Sequence, residues 1–85
     1  MYDGEKRTVQ LLCDNDMMNT IVDRFGDEVV TRKIDDHHFI ADVEVFVSPT
    51  FFSWIFAYGG TIAIASPQDV MNEYKKKVSE TFKRI

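Results

Sequence analysis

Residues 38–49, HFIADVEVFVSP, decide how the rest of the chain is interpreted. Up to residue 47 the side chains alternate between two sets, which predicts a β-strand with two distinct faces. The face expected to be buried carries Phe39, Ala41, Val43, Val45 and Val47. Ser48 followed by Pro49 predicts a helix start, because serine caps free backbone amides and proline is tolerated at the first helical position.

The stretch that follows, FFSWIFAYGG at residues 51–60, predicts a helix over residues 50–58 that ends at Gly59 and Gly60. This helix is apolar almost all round, whereas an arc of roughly 100° is enough to cover a sheet. One stripe must cover the sheet. The other side, with Trp54 and Tyr58, is either further core or a contact with a partner or ligand, since aromatic residues are enriched at such anchors.

Outside these two elements, each segment has its own start and stop signals. Residues 6–13 and 28–34 predict two further strands, and residues 35–37 a turn. Between these strands, apolar residues at helical spacing predict a helix that Gly26 closes, with N-cap candidates at Asp14, Asn15 and Asp16.

Beyond Gly60, residues 61–65 predict a short strand, and Ser66 with Pro67 predicts the start of a last helix. Its apolar stripe comprises Val70, Tyr74, Val78, Phe82 and Ile85. The order β-α-β-β-α-β-α predicts a single α+β domain over residues 1–85. Its first six elements predict a ferredoxin-like sandwich with an antiparallel sheet, to which a C-terminal helix is added.

The predicted sheet has a second face that is more apolar than a solvated face needs to be. It carries Leu12, Ile40, Phe46, Ala63 and Ala65. Either the third helix crosses this face, or another chain or domain covers it. Leu12, Ile40 and Phe46 are therefore candidate interface or ligand contacts, together with Trp54 and Tyr58.

Composition and charge limit the function classes. The 85 residues are 45% hydrophobic and 28% charged with a net charge of −4, which is typical of a globular domain and not of a nucleic-acid-binding one. The basic cluster of Lys75, Lys76, Lys77, Lys83 and Arg84 suits the C-terminal end of a helix dipole. A single cysteine, no signal-peptide pattern and no apolar run long enough for a bilayer predict a cytoplasmic protein without membrane contact.

The histidine, carboxylate and cysteine residues do not form a pattern that is typical of an active site. His37 and His38 with Asp35 and Asp36 indicate a hairpin turn far more than a loose metal site. The carboxylate pairs Asp14–Asp16 and Asp42–Glu44 lack an apolar pocket that would separate their pKa values. No histidine or other base is placed by the sequence pattern to activate Cys13 as a nucleophile. The sequence also shows no glycine-rich phosphate-binding loop and no loop with the paired arginine and asparagine of an acylphosphatase. We therefore predict no catalytic residues, no metal and no cofactor.

Several of these features together resemble a known domain. They are Val9-Gln10-Leu11, Ile21 to Gly26, the hairpin that ends at Val47, and the run from Trp54 through Tyr58-Gly59 to Ser66-Pro67. The chain is similar to the C-terminal extension, or WCX domain, of bacterial WYL-domain transcriptional regulators. The resemblance implies a parent protein with a DNA-binding winged helix and a ligand-sensing WYL domain. It also implies that this extension dimerises and shapes the response without touching DNA.

Two functions are therefore expected. The first is a non-catalytic regulatory module that forms a homodimer, contacts the WYL domain of its own parent chain and responds to a small-molecule or nucleic-acid effector bound by that parent. The alternative is a stand-alone small-molecule sensor on a ferredoxin-like domain.

Overall fold

The computed structural model describes residues 6–83 apart from the side chain of Phe82, and these residues form four strands and three α-helices. The elements are β1 (Lys6–Asp14), α1 (Met18–Phe25), β2 (Val30–Lys33), β3 (His38–Phe46), α2 (Pro49–Phe56), β4 (Ile62–Ser66) and α3 (Gln68–Lys83). A single 3-10 turn, Asn15–Met17, leads from β1 into α1. The prediction of an α+β chain is confirmed.

The strands form one antiparallel sheet in the order β2-β3-β1-β4. The two long strands pair along their whole length at the centre, so that Val9 faces Val43 and Leu11 faces Ala41. Because side chains alternate between the two sides of a strand, this register places one set of apolar side chains on the same face: Val9, Leu11, Cys13, Phe39, Ala41, Val43 and Val45.

All three helices contribute to the core on that face. The core contains Ile21 from α1, Ile55 from α2 and Val70 from α3, packed with the inward side chains of β1, β3 and β4. The α3 helix lies beside α2, where the rings of Phe52 and Tyr74 are 5.5 Å apart. Within residues 6–83, α3 therefore does not cross the opposite face of the sheet.

The start signal of α2 acts as predicted, but the helix ends at Phe56, before the predicted end at residue 58. The backbone amide of Phe51 donates to Ser48 Oγ at 3.2 Å, and Pro49 is the first helical residue. The chain then turns through Gly59 and Gly60, whose φ angles of 60° and 97° favour glycine.

The predicted N-caps of α1 and α3 are wrong: none of Asp14, Asn15 and Asp16 caps α1, whose N-cap position is Met17, and Ser66 is taken up by strand pairing. Asp14 belongs to β1, where its amide donates to the Thr61 carbonyl at 2.9 Å, and its side chain caps no helix. Ser66 ends β4 and its hydroxyl donates to Gln10 Oε1 at 2.8 Å, so α3 begins two residues later at Gln68. The strand predicted over residues 28–34 is shorter, Val30–Lys33.

The predicted stripe of α3 is present in its described part. Val70 is buried, and Tyr74 packs against the core. The side chain of Phe82 and the residues Arg84 and Ile85 lie outside the described residues.

Candidate functional site

The outer face of the sheet, here called the open face, carries no helix from residues 6–83. Across its strands runs an apolar row of Ala63 on β4, Leu12 on β1 and Ile40 on β3, which are direct cross-strand neighbours. Leu12 retains 37% of its surface exposed. Ile40 retains 8%, because it lies on a central strand between Leu12 and Arg32. Two predicted site residues, Leu12 and Ile40, are thus brought together.

Phe46, the third predicted residue of this face, lies apart from the row. It is 59% exposed at the end of β3, opposite Lys6. It lies six positions along β3 from Ile40, or about 20 Å at the usual rise. Phe46 therefore extends the open face but does not enlarge the apolar row.

Polar side chains between the row and Phe46 are already paired with one another. Ser66 Oγ donates to Gln10 Oε1, and Gln10 Nε2 donates in turn to Asp42 Oδ1 at 3.0 Å. Beyond them, Lys6 Nζ lies 3.6 Å from Glu44 Oε1. The two carboxylates considered as an acid–base pair, Asp42 and Glu44, thus serve cross-strand pairing.

Trp54 and Tyr58 lie on the other side of the molecule, among the helices. The Trp54 ring meets the rings of Phe25 and Tyr58 edge to face, with centroids 5.6 and 5.1 Å apart. The Arg24 guanidinium lies 5.8 Å from the Trp54 ring centroid. Both aromatic residues are partly buried against the core. They form no common site with Leu12 and Ile40, which lie across the sheet.

The exposed side of α2 is instead the side of Phe56, which is 55% exposed. It borders a groove of about 480 Å³ between α2 and α3, here called the α2–α3 groove. The apolar lining consists mainly of Phe52, Phe56, Tyr74 and Val78. Sequence reasoning did not select Phe56. The sequence feature that could have indicated an exposed aromatic residue on α2 is its apolar arc, which is wider than the part of a helix that one sheet can cover.

The histidine–aspartate segment is a turn held by its own hydrogen bonds. Asp35 Oδ1 accepts the His37 backbone amide at 2.7 Å and lies 3.0 Å from His38 Nδ1. Both contacts lower the pKa of the Asp35 carboxyl, and the hydrogen bond from the His37 backbone amide has the larger effect. Among residues 6–83 no three histidine, cysteine, aspartate or glutamate side chains converge as metal ligands.

Cys13 is fully buried in the core, where its thiol lies 3.6 Å from the Leu11 carbonyl oxygen. Burial, assisted by the nearby Asp14 charge, raises the pKa of the Cys13 thiol to about 12. Because the thiolate is the nucleophilic form, the folded chain presents no reactive cysteine among its described residues.

Comparisons of the chain with known protein families, with curated proteins and with solved structures found no match. Over residues 6–83, each helix is too short or too polar to cross a membrane.

Proposed function

We propose that this domain is a non-catalytic regulatory module that forms a homodimer through the open face. The observation that carries the proposal is the apolar row of Ala63, Leu12 and Ile40, of which Leu12 is the exposed member, on a sheet face that none of the described helices covers. Apolar rows of this kind, rimmed by polar groups, mark protein–protein contact surfaces.

The fold that we propose for this module is ferredoxin-like. The strand order β4-β1-β3-β2, with α1 after β1 and α2 after β3, supports this assignment. The helices then occupy one face, and the other face is left for an added partner.

The parent protein that we propose is a cytoplasmic WYL-type transcriptional regulator with the winged helix and the WYL domain elsewhere in its chain. The support is the resemblance of the segment from Trp54 to Pro67 and of the hairpin to a WCX domain. In that setting the open face makes the homodimer contact, whereas Trp54 and Tyr58 pack among the helices of this domain. A winged helix encoded in the same reading frame, upstream of this segment, would support the assignment, and an unrelated upstream sequence would overturn it.

The dimer contact can be tested with two matched substitutions, each of which replaces an exposed apolar residue by glutamate. Leu12→Glu buries a charge in the proposed contact, whereas Phe56→Glu places the same charge on the helix side. Sedimentation velocity over a concentration series should show a dimer for the wild type and for Phe56→Glu, and a folded monomer for Leu12→Glu. A wild type that stays monomeric, or a Leu12→Glu dimer of unchanged affinity, would refute the proposed contact.

The alternative function, a small-molecule sensor, is favoured by one observation. The α2–α3 groove has a volume within the range of about 300–1,000 Å³ that ligand pockets usually have. A thermal-shift screen against metabolites and oligonucleotides tests this alternative, because a ligand that binds only the folded state raises its melting temperature.

A further inference from the structure

The α2–α3 groove combines an apolar wall with exposed aromatic surface. The contact between the Phe52 and Tyr74 rings holds the two helices side by side. The groove continues past Phe56 into a more open hollow beside Gly59 and Gly60, and Phe56, Tyr74 and Val78 border both parts. An apolar chain lying along these side chains would cover the Phe56 ring.

The rim of the groove is basic in a chain that is otherwise acidic. Lys77 lines the part beside Phe52, and Lys75 and Lys83 line the part beside Gly59 and Gly60. No carboxylate of residues 6–83 forms an ion pair with any of the three lysines. Glu80 is the one acidic residue among the described groove-lining side chains. In a chain with a net charge of −4, the described lining of the groove thus carries three lysines against one glutamate.

We infer that the α2–α3 groove binds a small amphipathic carboxylate. Its apolar chain lies along Phe52, Phe56 and Val78, and its carboxylate lies near Lys77. Charge complementarity selects an anion over a cation, and the apolar lining selects a ligand with a hydrocarbon chain. The site lies on the helix side and is thus independent of the proposed dimer contact on the open face.

The first experiment uses decanoate as the probe, below its micelle-forming concentration, with isothermal titration calorimetry on the whole chain. Decanol is the neutral control, and decyltrimethylammonium is the cationic one. We expect decanoate to bind about fivefold more tightly than decanol, the size of effect that a solvent-exposed charge pair provides. We expect the cation to bind more weakly than both, and added salt to reduce the advantage of decanoate.

Two pairs of variants locate the ligand. Val78→Trp fills the groove and should abolish binding, whereas Ile34→Trp, an exposed site in the turn after β2, should leave it unchanged. Lys77→Glu should weaken decanoate binding about tenfold, since attraction becomes repulsion, without weakening decanol binding. Lys33→Glu, on an exposed lysine of β2, is the charge control. Thermal melts of the ligand-free variants confirm that each one folds.

Three results would overturn the inference. Equal affinities for decanol and decanoate would remove the carboxylate requirement, and unchanged decanoate binding by folded Val78→Trp would place the ligand elsewhere. Binding to vesicles of anionic phosphatidylglycerol without binding of free decanoate would assign the basic, aromatic rim to a lipid surface. Because none of these measurements depends on the oligomeric state, they are distinguishable from a failure of the dimer proposal.

Discussion

Replacing Trp54 with alanine decides whether this side chain serves mainly the fold or a partner. The ring packs between Phe25 and Tyr58 and against the core, so its removal takes apolar surface and two edge-to-face contacts from the junction of α1 and α2. Truncation of a buried tryptophan costs about 3–5 kcal/mol. Since the Trp54 ring is only partly buried, we expect the lower end, about 3 kcal/mol.

A loss of this size is large for a chain of 85 residues. Small domains are stable by about 0.05–0.15 kcal/mol per residue, so the substitution removes a quarter or more of the total. The melting temperature should fall by about 12–24 °C, at roughly 4–8 °C per kcal/mol for a domain of this size.

Urea unfolding followed by far-ultraviolet circular dichroism measures the change, because the variant has lost its only tryptophan fluorophore. Phe56→Ala is the matched control on the same helix. Its ring is 55% exposed, so we expect a loss of no more than about 1 kcal/mol. Sedimentation of both variants should equal that of the wild type. If Trp54→Ala costs less than Phe56→Ala, or changes the oligomeric state of a stable protein, Trp54 is a partner contact and the packing argument fails.

Three further predictions concern single groups. Ser48→Ala removes the acceptor for the Phe51 amide and should cost about 1 kcal/mol in urea unfolding; a loss below 0.3 kcal/mol, within the scatter of surface changes, would contradict the role of the cap. Because burial raises the pKa of the Cys13 thiol to about 12, Ellman's reagent at pH 8 should react only as fast as the chain unfolds, and rapid reaction without denaturant would contradict this. The hydrogen bond from Arg7 lowers the pKa of the Asp69 carboxyl below its ordinary value of 3.8. The contact therefore stabilises the folded chain fully at pH values above 3.8, and this stabilisation is lost as the pH falls through the lowered pKa. Asp69→Asn should therefore be less stable than the wild type at pH 7, and the difference should shrink as the pH falls below 3.8; a difference that does not change with pH would exclude the ion pair as the cause.

The strands and helices were predictable wherever a local rule governs them. The alternation over residues 38–47 predicted β3, and Ser48 with Pro49 predicted the start of α2 to the residue. The same rule failed at Ser66, where an identical Ser-Pro pair follows a strand and the hydroxyl is taken by Gln10. Whether a serine caps a helix depends on which hydrogen-bonding groups lie near its hydroxyl. At Ser66 the nearby group is the Gln10 side chain, on a strand 56 residues earlier in the sequence.

The candidate surfaces were predictable only in part. Alternation in β1 and β3 placed Leu12 and Ile40 on one face, and their cross-strand pairing follows from the register. No local pattern could tell that Phe46 has Lys6, and not an apolar residue, as its cross-strand neighbour, because this depends on how the strands are aligned. Nor could it tell that Phe56 is the exposed ring of α2, since the helix is apolar on nearly every side.

The sequence by itself determined the α+β class, the order of the elements and the two faces of each long strand, because periodicity and turn residues act over a few neighbouring positions. Only the tertiary structure decided that α3 packs beside α2, that Trp54 is enclosed by Phe25 and Tyr58, and that Phe56 and the open face stay uncovered by residues 6–83. Those outcomes depend on the positions of whole elements. Where a helix is apolar all round, its neighbours in space determine which side becomes core.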